Sequence, residues 1–223
     1  GAGTSDVYVV MARTGGEGAA GVSAFLVEKG SGGLSFGANE RKMGWNAQPT
    51  RTVNMDQVRV PASTMLGAEG KGFKIAMSGL NGGRINIAAC SLGGAQAALD
   101  ATLGYMRDRK AFGKALIAMP TLQFRLAEMA TKVEVARAIL WRAAASLDTK
   151  STEATMLCAM AKQFVTDACF DVANDALQLH GGYGYLTEYG IEKIVRDLRV
   201  HQILEGTNEI MRLVVSRAVI TRG

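Results

Sequence analysis

The feature that most constrains this chain is a helical period that begins near residue 68 and continues to the C-terminus. Ile85, Ala88, Leu92, Ala95, Leu99, Leu103 and Met106 step by three and four, as do Leu122, Leu126, Met129, Val133, Ala136 and Leu140. A third stretch, residues 152 to 180, sets Met160, Phe164 and Ala168 beside Leu157, Ala161 and Val165. That stripe is wide enough to be buried on more than one side. Helices of about 25 to 35 residues exceed the usual length, and short connections between them define an up-and-down bundle of the four-helix type. Apolar surface beyond what one bundle buries points to packing between subunits.

Residues 7 to 60 read differently. Val7 to Ala12 and Val22 to Val27 are strand-like runs around the glycine-rich turn Gly15-Gly16-Glu17-Gly18, and Leu34-Ser35-Phe36 is a short third. Arg51 to Val60 alternates until Gln57, where the phase shifts and a turn or bulge is expected. Four strands leave an edge and a sheet face uncovered, so this portion reads as the second half of a β domain. The expected class is therefore α+β, with a partial antiparallel β domain at residues 1 to 62 and a helical bundle at 68 to 223.

Composition narrows the chemistry. Of 223 residues, 48% are hydrophobic and 20% charged, in the ordinary range for a globular protein. No apolar run approaches the roughly 20 residues of a membrane span. Cys90, Cys158 and Cys169 lie in mostly apolar helical stretches and read as buried thiols, while His180 and His201 alone make no metal cluster. The net charge of +5 suits an anionic ligand such as a CoA or a dinucleotide. No dense Lys/Arg run interleaved with aromatics argues for nucleic acid.

The segment from Arg199 to Arg212 concentrates the candidate chemistry. Glu205 follows Ile203 and Leu204 and precedes Gly206, Thr207 and a new helix. An acid on an apolar wall loses hydration and becomes a stronger base. Gly206 lets backbone approach a ligand, and Thr207 can cap the helix or reach a phosphate. A solvated glutamate beside an ordinary capped helix also fits these residues. Leu80-Asn81-Gly82-Gly83-Arg84 interrupts the first long helix with two glycines, each costing roughly 1 kcal/mol relative to alanine, so a ligand or a neighbouring helix comes close there. Arg109-Lys110-Ala111-Phe112-Gly113 fits a helix end with its glycine stop, and Gly181-Gly182 fits a C-cap.

Ile203 to Ile210 resembles the catalytic segment of the flavin-dependent acyl-CoA dehydrogenases. Further segments follow in that family's order: Lys42 to Thr50, Leu66 to Phe73, Asn81 to Arg84, Arg109 to Gly113 and Gln178 to Tyr185. Gly44-Trp45-Asn46, Asn81 to Arg84 and His201 to Ile210 most resemble the isobutyryl-CoA or short-branched-chain branch. The resemblance implies that Glu205 removes the α-proton of an acyl-CoA thioester while the β-hydrogen leaves as hydride to N5 of FAD. It implies FAD contacts from Arg109, Phe112, Gln178, Leu179, His180, Gly181, Gly182, Thr207, Asn208 and Glu209, shared between subunits, with no proton-transfer role for His180. Asn81, Gly82, Gly83, Arg84 and Arg217 are the implied acyl-CoA contacts. Relatives that carry their acid on the first long helix have it where this chain has Gly83, which leaves Glu205 as the base.

The same resemblance implies a homodimer or homotetramer, an electron-transfer flavoprotein as electron acceptor, and a bacterial cytoplasm or mitochondrial matrix. Three positions depart from the family's pattern: Asn46 and Gln48 replace a common Arg and Ser, and Pro120 stands where a flavin-contacting Gln is usual. The family's N-terminal helical domain and first β strands have no counterpart here, so the chain reads as a portion of a longer enzyme. Two other classes compete with this one. A non-catalytic oligomerisation module would be indifferent to Glu205, and a flavin monooxygenase on the same fold would have no use for α-proton abstraction.

Overall fold

The computed structural model describes residues 1–221; residues 222–223, the end of the expected bundle, lie outside the described part. The chain divides into two compact units, Gly1–Leu80 and Asn81–Gly223.

In the first unit β1 (Val7–Arg13) pairs antiparallel with β2 (Val22–Glu28), Val7 opposite Glu28 and Arg13 opposite Val22. β3 (Leu34–Phe36) pairs with β4 (Val53–Met55) in a separate two-stranded sheet. β5 (Met65–Leu66) extends β2 on its other side. Gln57 has a positive φ of 50° just after β4, at the residue where the alternation loses phase. β1 is an edge strand and exposes Val7, Val9 and Met11 along one face. Ser23 is buried, and its hydroxyl accepts the Gly70 N–H at 2.9 Å, which ties β2 to the glycine-rich connection.

The helices follow. α1 spans Gly72–Asp108, α2 Pro120–Asp148, α3 Ala154–His180, α4 Ile191–Arg199 and α5 Asn208–Ile220. Each long helix starts or stops for a local reason. Pro120 opens α2, where its fixed φ suits the first turn and its missing N–H is no loss. Gly181, at φ 60°, ends α3.

The glycine pair does not interrupt α1, which runs through Gly82 and Gly83 unbroken. The intrinsic penalty of two glycines is small against the packing of a 37-residue helix. The other difference lies past its end, where Lys110–Ala111 (β6) and Lys114–Ala115 (β7) form a hairpin instead of a plain glycine stop. Phe112 and Gly113 turn it, both with positive φ.

The core of the second unit is lined with small side chains. Ala88, Ala95 and Ala98 of α1, Ala136 of α2 and Ala173 and Ala176 of α3 are fully buried among Met129, Val133, Val165 and Val172. Removing bulk at these positions lets helix axes approach closely and pack at near-crystalline density. A second cluster, Ala143, Met156, Leu157, Cys158 and Ala161, receives Val215 and Ala218 from α5. Cys158 and Cys169 are buried, and burial pushes the Cys169 thiol up to about 12. Cys90, expected to be buried, faces outward from α1. Among the described residues no helix is long and apolar enough to cross a membrane, and no group of acidic, Cys or His residues could hold a metal.

Candidate active site and nucleotide cleft

Between α4 and α5 the chain makes a single turn at Val200–Gln202 and then a joint carrying Glu205. Glu205 and Gly206 take consecutive left-handed conformations, φ 57° and 89°. A non-glycine residue there is sterically disfavoured and persists where surrounding contacts fix it. The joint turns the half-buried Glu205 side chain onto α1 at Gly83. A Cβ placed on Gly83 would lie 2.6 Å from Glu205 Cδ and 3.0 Å from Oε1, whereas one on Gly82 would meet nothing within 4 Å. The absent side chain at position 83 is thus the space that the carboxylate occupies.

Arg84, next along α1, is buried, and its guanidinium donates to Asn81 Oδ1 at 3.0 Å while Nε has no partner among the described residues. Burial lowers the Arg84 pKa, with the thiol of Cys158 and the carboxylate of Glu205 opposing that shift. Asn81 in turn donates to Thr155 Oγ1 on α3 at 3.0 Å. The sequence places the apolar flank of Glu205 at Ile203 and Leu204, but Ile203 is exposed and the carboxylate rests on the glycine face of α1 instead.

Thr207 occupies the N-cap position of α5 without a side-chain bond to the helix backbone. Its hydroxyl goes to the Glu209 carboxylate, whose pKa is lowered first by its own backbone N–H, then by Thr207 and Arg212. Asn208 is buried, with its amide donating to Asp167 Oδ1 at 2.7 Å and Thr166 Oγ1 at 3.0 Å. Sequence reasoning missed Lys162, fully buried on α3, which donates to the Gly206 carbonyl and to Asn208 Oδ1, both at 2.8 Å. The signal was available: Lys162 is the lone Lys or Arg in residues 154 to 180, within an apolar stripe.

His201 supports the joint from below. It is fully buried, with Nδ1 2.7 Å from Ser91 Oγ of α1, and burial brings its pKa down to about 4 from 6.5. Between pH 6.5 and 4 the unfolded chain therefore takes up a proton that the folded chain refuses. The resulting loss of stability as pH falls through this window is expected to reach roughly 3 kcal/mol. Thermal midpoints at pH 7 and pH 4.5 measure it, and His201→Gln, which cannot titrate, should flatten that part of the profile.

A second concavity, of about 500 Å³, lies where α1 ends against the end of α3. Arg109, Gln178, Leu179, His180, Gly181 and Gly182 all line it. Arg109 sits 5.1 Å above the Tyr183 ring. His180 is buried, donates from Nδ1 to the Ala176 carbonyl at 2.8 Å and stacks on Tyr105 at 4.3 Å. Gly181 and Gly182 are exposed, and a Cβ on either would meet nothing, so their backbone is open to a ligand. Cation, polar side chain and bare peptide groups together suit a nucleotide with its pyrophosphate.

The expected cofactor residues do not converge within one chain. Thr207, Asn208 and Glu209 line a separate small cleft of about 180 Å³ with Asp167, Arg199 and Arg212. Phe112 stands at the hairpin tip, 94% exposed, and Arg217 is exposed on α5, lining neither cleft.

Residues 70–220 match the acyl-CoA dehydrogenase C-terminal domain, and residues 1–58 match the acyl-CoA dehydrogenase middle domain. The chain belongs to the acyl-CoA dehydrogenase family. It is 52% identical over 220 residues to mitochondrial isobutyryl-CoA dehydrogenase of Bos taurus, covering 99% of this chain and 53% of that protein. Butyryl-CoA dehydrogenase from Megasphaera elsdenii is 40% identical and superposes with a TM-score of 0.95 over 98% of this chain and 57% of its own. An FAD complex of PigA, 29% identical, superposes with a TM-score of 0.91 over 99% of this chain and 57% of its own. The chain spans about half the length of the relatives it matches.

Proposed function

We propose that the full-length enzyme introduces an α,β double bond into a short branched acyl-CoA thioester such as isobutyryl-CoA, with Glu205 as the general base. The observation that carries this reading is the seating of the Glu205 carboxylate against Gly83. The acid projects from a fixed turn onto a helix face with no competing side chain. The similarity to isobutyryl-CoA dehydrogenase supports the substrate class.

Glu205 accepts the α-proton. The developing enolate oxygen needs a hydrogen-bond donor, and the backbone N–H of Glu205 is the chain's candidate. Asn81, Gly82, Gly83, Arg84 and Arg217 are the residues assigned to the acyl-CoA. FAD, when bound, supplies the acceptor for the β-hydride. Arg109, Gln178 and the peptide groups of Gly181 and Gly182 would hold its pyrophosphate and adenine end, Leu179 and His180 would wall that end, and Phe112 would pack on the nucleotide. Thr207, Asn208 and Glu209, in the other cleft, would complete the site from a second copy. In this reading residues 1 to 62 and 68 to 223 are the second half of the middle β domain and the C-terminal helical domain. Electrons would leave through an electron-transfer flavoprotein, and the compartment would be a bacterial cytoplasm or a mitochondrial matrix.

The test is anaerobic titration of the full-length, flavin-loaded protein with isobutyryl-CoA, which should bleach the flavin absorbance. Absence of bleaching with any short acyl-CoA would overturn the reading. Arg109→Ala should weaken FAD binding roughly 10- to 100-fold, the cost of a charge-assisted contact.

A further inference from the structure

Lys162 is a charge in a place where charges are costly. Its side chain is fully buried on α3, and its two acceptors are neutral oxygens, the Gly206 carbonyl and the Asn208 amide, each at 2.8 Å. An ammonium loses most of its hydration in such a site, and hydrogen bonds to neutral groups recover only part of it. Burial brings its pKa down to about 8, the same physics seen as titration. Neither acceptor is arbitrary. Gly206 directly follows Glu205, and Asn208 is the first residue of α5.

We propose that Lys162 is the positioning residue for the base: its ammonium pins the Gly206 carbonyl and so holds Glu205 in the left-handed conformation that aims the carboxylate at Gly83. This rests on the reading of Glu205 as the base. The contacts around it point the same way. Gln202, before the joint, donates to Asp167 Oδ1 at 2.9 Å, and Asn208, after it, donates to the same oxygen at 2.7 Å. Arg212 of α5 reaches Asp167 Oδ2 at 3.3 Å. These bonds fix the two ends of the joint to α3. Lys162 alone of these α3 side chains bonds the backbone of the joint, at the carbonyl of Gly206, the second of two consecutive residues with positive φ. Without it, Glu205 and Gly206 are free to relax to ordinary backbone conformations, and the carboxylate leaves the glycine face.

The experiment uses the full-length, flavin-loaded enzyme carrying Lys162→Met, which keeps length and removes the donor. Flavin reduction by isobutyryl-CoA should slow roughly 100-fold, the typical consequence of a displacement of about 1 Å at a reacting group. FAD content and the dissociation constant of a non-oxidisable acyl-CoA thioether should stay within about threefold, since the loss falls on kcat and not on binding. A crystal structure of the variant should show Glu205 out of the left-handed region, a readout independent of turnover. Lys162→Gln, which retains a shorter donor, should recover part of the rate, and it carries the same test if Lys162→Met does not fold. Retention of the rate and of positive φ at Glu205 would overturn the proposal. So would a rate loss matched by equal losses of FAD and ligand binding, which marks a merely structural residue. Glu205→Gln measured alongside separates the two readings. If that variant keeps its rate, the base assignment fails, while the backbone conformation in Lys162→Met still decides whether the clamp exists.

Discussion

Glu205→Gln in the full-length enzyme should lower kcat for a short branched acyl-CoA by several orders of magnitude. General base catalysis alone is typically worth about 10²–10⁴-fold, and departure of the β-hydride is coupled to the same proton transfer. The amide keeps the size and polarity of the acid and sits in the same left-handed turn, so folding and ligand binding should change far less. Stopped-flow measurement of flavin reduction, with equilibrium binding of the acyl-CoA measured separately, resolves the two effects. A Glu205→Gln enzyme that reduced its flavin at near wild-type rate would remove the base from the mechanism.

Gly83→Ala should do nearly as much damage by a different route. The new methyl group would fall 2.6 Å from Glu205 Cδ, and the atoms it meets belong to the far end of a flexible side chain. The protein therefore yields by moving the carboxylate, at little cost to folding, and helix propensity even favours alanine by roughly 1 kcal/mol. A more stable protein with flavin reduction slowed about 100-fold is the expected outcome. Gly104→Ala, on the same helix, is the control, since its Cβ would meet open space and the residue has no assigned contact with ligand. It should share the gain in stability with little effect on the rate. Equal rates for the two alanine variants would show that contact with Gly83 does not set the position of the acid.

Much of the fold was legible because its signals are local and repeated. The steps of three and four from Ile85 to Met106 and from Leu122 to Leu140 lie within α1 and α2, and the slip in alternation at Gln57 coincides with a positive φ. What escaped depends on distance in space. The hairpin at Lys110–Ala115 hides behind a glycine that also suits a helix stop. The two-residue β5 exists only as a partner of β2. The seating of Glu205 on Gly83 joins positions far apart in the chain, and period alone cannot show that the missing side chain at 83 accommodates a present one at 205. Lys162 is the sharpest case. Its oddness is visible in sequence, while its purpose appears only once α3 lies beside the Glu205 joint.

The length of α1 has a consequence for how many chains a working centre needs. From Gly83, under the base, to Asp108, beside the Arg109 cleft, the helix rises about 38 Å at 1.5 Å per residue. One dinucleotide cannot reach from one end to the other. If Glu205 is the base and Arg109 holds FAD, as proposed, a chain that offers its acid to one flavin grips a different flavin with Arg109, and each centre would be a joint possession of two copies. In a mixed assembly, a chain defective only in its grip and a chain defective only in its acid can still compose one sound centre between them. Activity then follows the pairing statistics of the copies and not the fraction of intact chains.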